Sequence, residues 1–141
     1  MSQKLNSIRY VSDTDSITAD MLHGFFVGWP NPPNVDAHLR ILQGSYHVVL
    51  AIDIGHNKVI GFINAISDGV LAAYIPLLEV LPAYQKQGIG KELVMQMLAA
   101  LNHLYMIDLL CDPNLQPYYE KLGMHRGQGM LIRNYDKQNA Q

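Results

Sequence analysis

The residues best arranged for chemistry are Gln85-Lys86-Gln87-Gly88-Ile89-Gly90-Lys91. They stand between a β-branched run and a stretch of helical apolar spacing, so they open a helix. Such a place favours an anion. The first N–H groups of a helix lack internal partners, and the macrodipole adds partial positive charge. Gly88 and Gly90 remove side chains that would block the close approach of a pyrophosphate, and Lys86 and Lys91 add charge beside it. Two familiar phosphate patterns fail. The Walker pattern needs Gly where Gln85 stands and Ser or Thr where Glu92 stands. The dinucleotide pattern needs a third glycine where Leu93 stands. What remains is Gln-x-x-Gly-x-Gly, and two glycines before a helix serve plain loop closure as readily as anion binding. Other reactive side chains are sparse. Cys111 is the single cysteine, so an intrachain disulfide and a cysteine-rich zinc site are both excluded. His23, His38, His47, His56, His103 and His125 form no His-x-x-x-His pair; each is assigned to surface or packing, and no metal site is expected.

A second motif follows downstream. Residues 112–124 read Asp-Pro-Asn-Leu-Gln-Pro-Tyr-Tyr-Glu-Lys-Leu-Gly-Met. The two motifs together resemble the GCN5-related N-acetyltransferase (GNAT) superfamily. There Gln-x-x-Gly-x-Gly is the pyrophosphate signature, and Phe/Tyr-Tyr-Glu-Lys-x-Gly-Phe follows the strand after the cofactor helix. Tyr118, Tyr119, Glu120, Lys121 and Gly123 match, with Met124 where Phe is commoner. Tyr74 to Pro82 resembles the family's fourth strand. The likeness is specific from about Val59 to Met124 and weak before that. The spacing from Leu110-Cys111-Asp112 to Tyr119 looks most like the arylalkylamine N-acetyltransferase branch, which does not fix the substrate.

The resemblance implies an enzyme that transfers an acetyl group from acetyl-CoA, its co-substrate, to an amine by direct attack on the thioester. It implies that Gln85, Lys86, Gln87, Gly88, Ile89, Gly90 and Lys91 receive the pyrophosphate. It also implies that the backbone of Leu78, Glu79 and Val80 meets the pantetheine arm, and that Asn114 and Tyr118 border the cofactor. Tyr119 matches the tyrosine that protonates the leaving thiolate, a role suited to a phenol that keeps its proton at pH 7. Tyr74 and Pro76 occupy positions where the family often carries a base, and neither is one; water, Glu79 or Asp112 is left to take the amine proton. An acceptor pocket is implied around Phe25, Phe26, Trp29, Asn31 and the neighbouring prolines. Its aromatic character suits a small-molecule or peptide amine better than a polycation. A non-catalytic CoA-binding or regulatory module on the same fold is the alternative. The family often dimerises, which leaves a homodimer open.

The elements that must hold these residues are mixed. Ile8 to Val11 reads as a strand. Thr14, Asp15 or Ser16 can cap a helix to about Phe26, with Ile17, Met21, Leu22 and Phe25 on one face. Pro30, Pro32 and Pro33 force a structured loop. Asn34 to Leu42 reads as a second helix stopped by Gly44. Tyr46–Ile52 and Val59–Ile66 read as a hairpin, and Val70–Val80 as the next strand, with Pro76 predicting a bulge or an edge. A long helix spans about Gly88 to Leu104. Tyr105 to Leu110 is a buried-looking strand in parallel crossover with the one before. A short helix runs from about Asp112 to Gly123. Met130 to Tyr135 is a last strand, followed by a frayed tail. The expected fold is α/β (α+β): a mixed, mostly antiparallel central sheet flanked by helices. The resemblance adds one parallel, splayed strand pair.

The bulk properties agree with a single domain over 1–141. The chain is 49% hydrophobic and only 16% charged, with a formal net charge of -2, which argues for a packed globule. Such a balance gives no electrostatic footprint for nucleic acid or an anionic membrane. Residues Met1 to Asp15 are polar, without the apolar stretch of a secretory signal, and no apolar run is long enough to span a bilayer. A cytoplasmic location is expected.

Overall fold

The runs Val48–Asp53 and Val59–Ala65 are apolar at nearly every position, so a sheet built from them needs cover on both faces. The computed structural model describes residues 7–141; Met1 to Asn6, the start of the polar N-terminal segment, lie outside the described residues. Five strands lie side by side in sequence order: β1 (Ile8–Val11), β2 (His47–Asp53), β3 (Lys58–Ser67), β4 (Ala72–Val80) and β5 (Met106–Leu109). β1 to β4 pair antiparallel, and β4 pairs with β5 in parallel. The sheet is therefore mixed and mostly antiparallel, as expected. No helix among the described residues is long and apolar enough to cross a membrane.

Helix α1 (Val35–Gln43) and a turn over Ala19–Leu22 cover one face, and helix α2 (Ile89–Ala100) covers the other. Asn34 caps α1 by accepting from the Ala37 N–H at 2.8 Å, which satisfies one of the open donors of the first turn. On the α1 face, Phe62 meets the rings of Phe25, Phe26 and His38, with centroids 5.1, 6.3 and 4.5 Å away. On the α2 face, Ile89 and Leu93 seat against Gly61. Phe62 pairs with Glu79 and Gly61 with Val80 across β3 and β4, so these pairs assign Glu79 to the α1 face and Val80 to the α2 face.

Several expectations are corrected. No helix runs from Thr14 to Phe26. Thr18 makes no side-chain cap, and the chain turns through left-handed backbone at Gly24 (φ 97°) and Phe26 (φ 63°), so only one 3-10 turn survives. The anticipated apolar face is nonetheless buried at Ile17, Met21, Leu22 and Phe25. Val70 and Leu71 lie before β4 in a turn, where the Asp68 carboxylate accepts from the N–H groups of Val70, Leu71 and Ala72. β5 is an edge strand with Met106 and Asp108 exposed, not a buried one. The segment after Asp112 divides into a 3-10 turn and the short helix α3 (Gln116–Glu120). Met130 to Tyr135 forms no strand; it is exposed, without regular structure as far as Asn134, and Tyr135 opens a 3-10 turn. The tail is tied down rather than frayed. The side chain of Gln138 accepts from the Asn31 N–H at 3.0 Å, and Arg40 donates to the Ala140 carbonyl at 3.4 Å.

Candidate functional site

Pro76 organises the centre of the molecule. It has no N–H to give to a ladder. β4 pairs with β5 only from Ala72 to Ile75, whose last partner is Leu109. Opposite, the β3 register jumps from Asn64↔Leu77 to Ile66↔Tyr74, which sets Ile75 and Pro76 against one residue, a β-bulge. Beyond it, β4 stays paired with β3 but has no strand on its other edge. The Leu81 N–H donates to the Ile60 carbonyl toward β3. Alternation then turns the N–H and C=O groups of Leu78 and Val80 to the open side.

A cleft of about 670 Å³ occupies this opening. Phe26, Val27 and Trp29 form one wall, Leu77 and Leu78 the floor, and Cys111, Asp112 and Tyr119 the far wall. Phe25 lies beneath this wall, packed on Phe62 and His38, and does not reach the cleft. The Asn31 N–H is engaged by the tail. Leu131 and Arg133 border the mouth; the sequence missed both, because they lie in a segment read as an ordinary last strand.

Each candidate residue has a definite place. Gly88 sits at φ 84° as the residue before α2, with no side-chain cap, and a Cβ there would meet no atom within 4 Å. No side chain caps the amides that follow. Lys86 also takes left-handed backbone (φ 64°), so the loop bends at two positions. Lys86, Gln87 and Lys91 are exposed, whereas the Ile89 side chain is buried in the core, leaving only its amide for a ligand. The Gln85 carboxamide donates to the Val80 carbonyl at 2.9 Å. It is a strut between the loop and β4, and it occupies one of the two strand carbonyls expected to face the pantetheine arm. Tyr118 places its hydroxyl 3.9 Å from where a Gly90 Cβ would stand, beside the loop. Asn114 is exposed and borders no part of the cleft.

Tyr118 and Tyr119 cross edge to face, with centroids 5.1 Å apart. Burial pushes the Tyr119 phenol up to about 12, with Cys111 and Tyr118 adding to the rise. Burial raises Tyr118 as well. Glu79 does something the sequence did not disclose. Its carboxylate accepts from the N–H groups of Phe26 and Val27 at 2.8 and 3.2 Å, fastening the aromatic wall to β4.

A second cluster supports the glycine loop from behind. Asp53, 1% exposed, accepts from the Tyr84 hydroxyl at 2.6 Å and pairs with His56 Nδ1 at 2.8 Å. Burial pushes the Asp53 carboxyl up, but the hydrogen bonds from Tyr84 and His56 outweigh it and leave the group below its ordinary value. Tyr84, next to Gln85, is raised to about 12 by its own desolvation and by Asp53. His56 thus has a partner, against the expectation; the Asp53-x-x-His56 spacing across a tight turn was the available signal.

The model of the acetyltransferase (GNAT) family matches residues 14–124. No curated protein matches the chain. Among solved structures, a protein of Deinococcus radiodurans R1, provisionally assigned as an acetyltransferase, is 45% identical. The match covers 96% of this chain and 94% of that one, with a TM-score of 0.92. A GNAT family acetyltransferase of Streptococcus pneumoniae TIGR4 is 27% identical over 90% of this chain and 98% of its own, with a TM-score of 0.72. An aminoglycoside N-acetyltransferase in complex with CoA shares the fold at 18% identity, 90% and 93% coverage and a TM-score of 0.60.

Proposed function

Since the chain belongs to the GNAT acetyltransferase family, we propose that it transfers an acetyl group from acetyl-CoA to the nitrogen of an amine. The observation that carries this is the unpaired edge of β4 beyond Pro76, opening between an uncapped glycine loop and Tyr119. The residues present fit the cofactor. The amides of Gly88 to Lys91 receive a pyrophosphate, and Gly90 leaves room for it beside Tyr118. The N–H and C=O of Leu78 offer strand-like pairing to an amide-bearing arm. Acetyl-CoA supplies a thioester whose acyl carbon accepts a nucleophile and whose sulfur leaves as a thiolate.

Tyr119 keeps its proton at neutral pH and donates it to the departing sulfur as charge develops there. The attacking nitrogen gives up a proton to water or to Asp112 in the far wall of the cleft, and the phenol is reprotonated from solvent, so the reaction balances as amide plus free thiol. Glu79 is committed to two backbone amides, which makes it a positioning residue for the acceptor wall.

Phe26, Trp29 and the leucines around the cleft favour a small, partly apolar amine, with arylalkylamines as the first class to try; nucleic acid and membrane are not expected partners. A cytoplasmic location goes with this reading. The test is release of free thiol from acetyl-CoA with a panel of arylalkyl, aliphatic and peptide amines, repeated with Tyr119→Phe. A thermal shift with CoA, but not with NAD or ATP, checks the cofactor separately. Tight CoA binding without turnover on any amine would favour a non-catalytic CoA-binding module instead.

A further inference from the structure

The glycine loop is held from its ends. Among the described residues, Lys86 and Gln87 make no hydrogen bond. The backbone turns left-handed at Lys86 (φ 64°) and again at Gly88 (φ 84°). At Lys86 that conformation costs energy and persists only where the surroundings hold it. Downstream the hold is α2, whose Ile89 and Leu93 seat against Gly61. Upstream it is Tyr84-Gln85. The Gln85 carboxamide donates forward to the Val80 carbonyl, and the Tyr84 hydroxyl donates backward to Asp53 Oδ2 at 2.6 Å.

Asp53 is a fixed post. It ends β2, opposite Ile8 of β1 and Lys58 of β3, and is sealed from water. Besides Tyr84, the His56 ring meets Oδ2 at 2.8 Å, and the His56 N–H and the Ser7 hydroxyl donate to Oδ1 at 3.2 and 3.5 Å. A sealed carboxylate adds little stability over an apolar residue of its size, and is better explained by the geometry it fixes. Here that geometry is the stance of Tyr84. Its hydroxyl is tied to the sheet, its N–H donates to the Leu81 carbonyl, and its ring is stiff. The point where the chain leaves for Gln85 therefore has little freedom. Neither Tyr84 nor Asp53 borders the cleft.

We propose that Tyr84 and Asp53 are positioning residues for the cofactor: their hydrogen bond sets where the amides of Gly88 to Lys91 stand, and so how tightly those amides take the CoA pyrophosphate. Neither side chain touches the reacting atoms, so the effect falls on binding and spares the chemical step. Holding the loop in place before the ligand arrives removes an ordering cost that would otherwise be subtracted from affinity. The inference rests on the reading that this loop receives CoA, and it goes beyond that reading by assigning part of the affinity to a bond behind the loop.

The test is calorimetric titration with CoA, well below the melting temperature of every variant. Tyr84→Phe keeps the ring and removes only the hydroxyl, leaving Asp53 its other donors. It is expected to weaken CoA about tenfold, the lower end for one hydrogen bond to a charged group. Asp53→Asn should weaken CoA similarly. The double variant should be no worse than the weaker single one, because both changes break the same bond. Asn34→Ala, which removes the cap of α1 far from the loop, should lower the melting temperature and leave CoA binding as in wild type. In steady-state assays at saturating acetyl-CoA, Tyr84→Phe should raise the KM for acetyl-CoA by the same factor and keep kcat. A wild type that does not bind CoA defeats the reading of the loop itself, and this inference with it. A wild type that binds CoA while Tyr84→Phe binds it equally well defeats this inference alone. So do losses that multiply in the double variant, or an Asn34→Ala loss as large as that of Tyr84→Phe, which would make the effect a general loosening of the fold.

Discussion

Tyr119 and Glu79 border one cleft and act differently on it. With burial holding the Tyr119 phenol up to about 12, its proton is in place through the whole working range. The rate should therefore rise with pH as the acceptor amine deprotonates, then level off, with no alkaline limb below about pH 10. Tyr119→Phe removes the donor and keeps the ring. It should lower kcat by about 10²-fold with little change in the KM for acetyl-CoA. Steady-state kinetics from pH 6 to 10 on both proteins check this. Glu79→Gln can accept one of the two amides but turns an NH2 toward the other. The Phe26–Val27 wall loosens by about one charged hydrogen bond, ~1.5–3 kcal/mol at most. The expected result is a KM for the amine raised about tenfold, with kcat and its pH profile kept. A collapse of kcat with loss of the acid limb would instead make Glu79 the base.

Among the elements, the glycine loop separates stability from binding. Gly88 stands at φ 84° in open space, so Gly88→Ala strains the backbone by about 1–2 kcal/mol. Gly90 is helical, and a Cβ there would meet Val80 and Tyr118 at 3.8 and 3.9 Å, ordinary contacts. Gly90→Ala should leave the melting temperature unchanged or raise it, by up to ~1 kcal/mol of helix propensity, yet weaken CoA about tenfold or more by narrowing the cradle. Calorimetric melting and CoA titration on both variants check the contrast. The place of this loop before a helix was legible in the sequence because Gly88 and Gly90 stand where a β-branched run gives way to helical apolar spacing. β2, β3 and α1 were legible because periodicity and a cap mark them. The Thr14–Phe26 helix was misread because its apolar spacing was right while its backbone was decided by turns at Gly24 and Phe26. The last strand was misread because a strand exists only where another strand pairs with it, and local sequence does not reveal the pairing. Glu79 and Asp53 escaped for a related reason. Their partners are 53 and 31 residues away, at Phe26 and Tyr84, and nothing local announces them.

The whole molecule has few charges, and among the described residues two titratable groups, His38 and Asp53, are sealed from solvent. His38 is 1% exposed among Phe25, Phe26 and Phe62, and its Nε2 has no hydrogen-bond partner. Burial pulls its pKa from 6.5 to about 4. The folded chain holds the neutral ring while the unfolded chain takes up a proton below 6.5. The stability it protects is full above pH 6.5 and is lost progressively as pH falls toward 4, about 3 kcal/mol in all. Asp53 acts in a lower window: its depressed carboxyl stabilises the fold above its ordinary 3.8, and that stability goes as pH falls through its folded value. Stability should thus begin to decline near pH 6, well above the carboxylate range. His38→Leu removes the proton site and the unpartnered nitrogen at similar volume. Urea midpoints at pH 7 and pH 4.5 should differ clearly for the wild type and much less for the variant. Wild-type midpoints that stay level from pH 7 to 4.5 would show that the ring does not titrate with unfolding. Asp53→Asn should leave the slope between pH 6.5 and 4 intact while lowering stability at pH 7 by about 2–3 kcal/mol, because Tyr84 and His56 lose a charged acceptor.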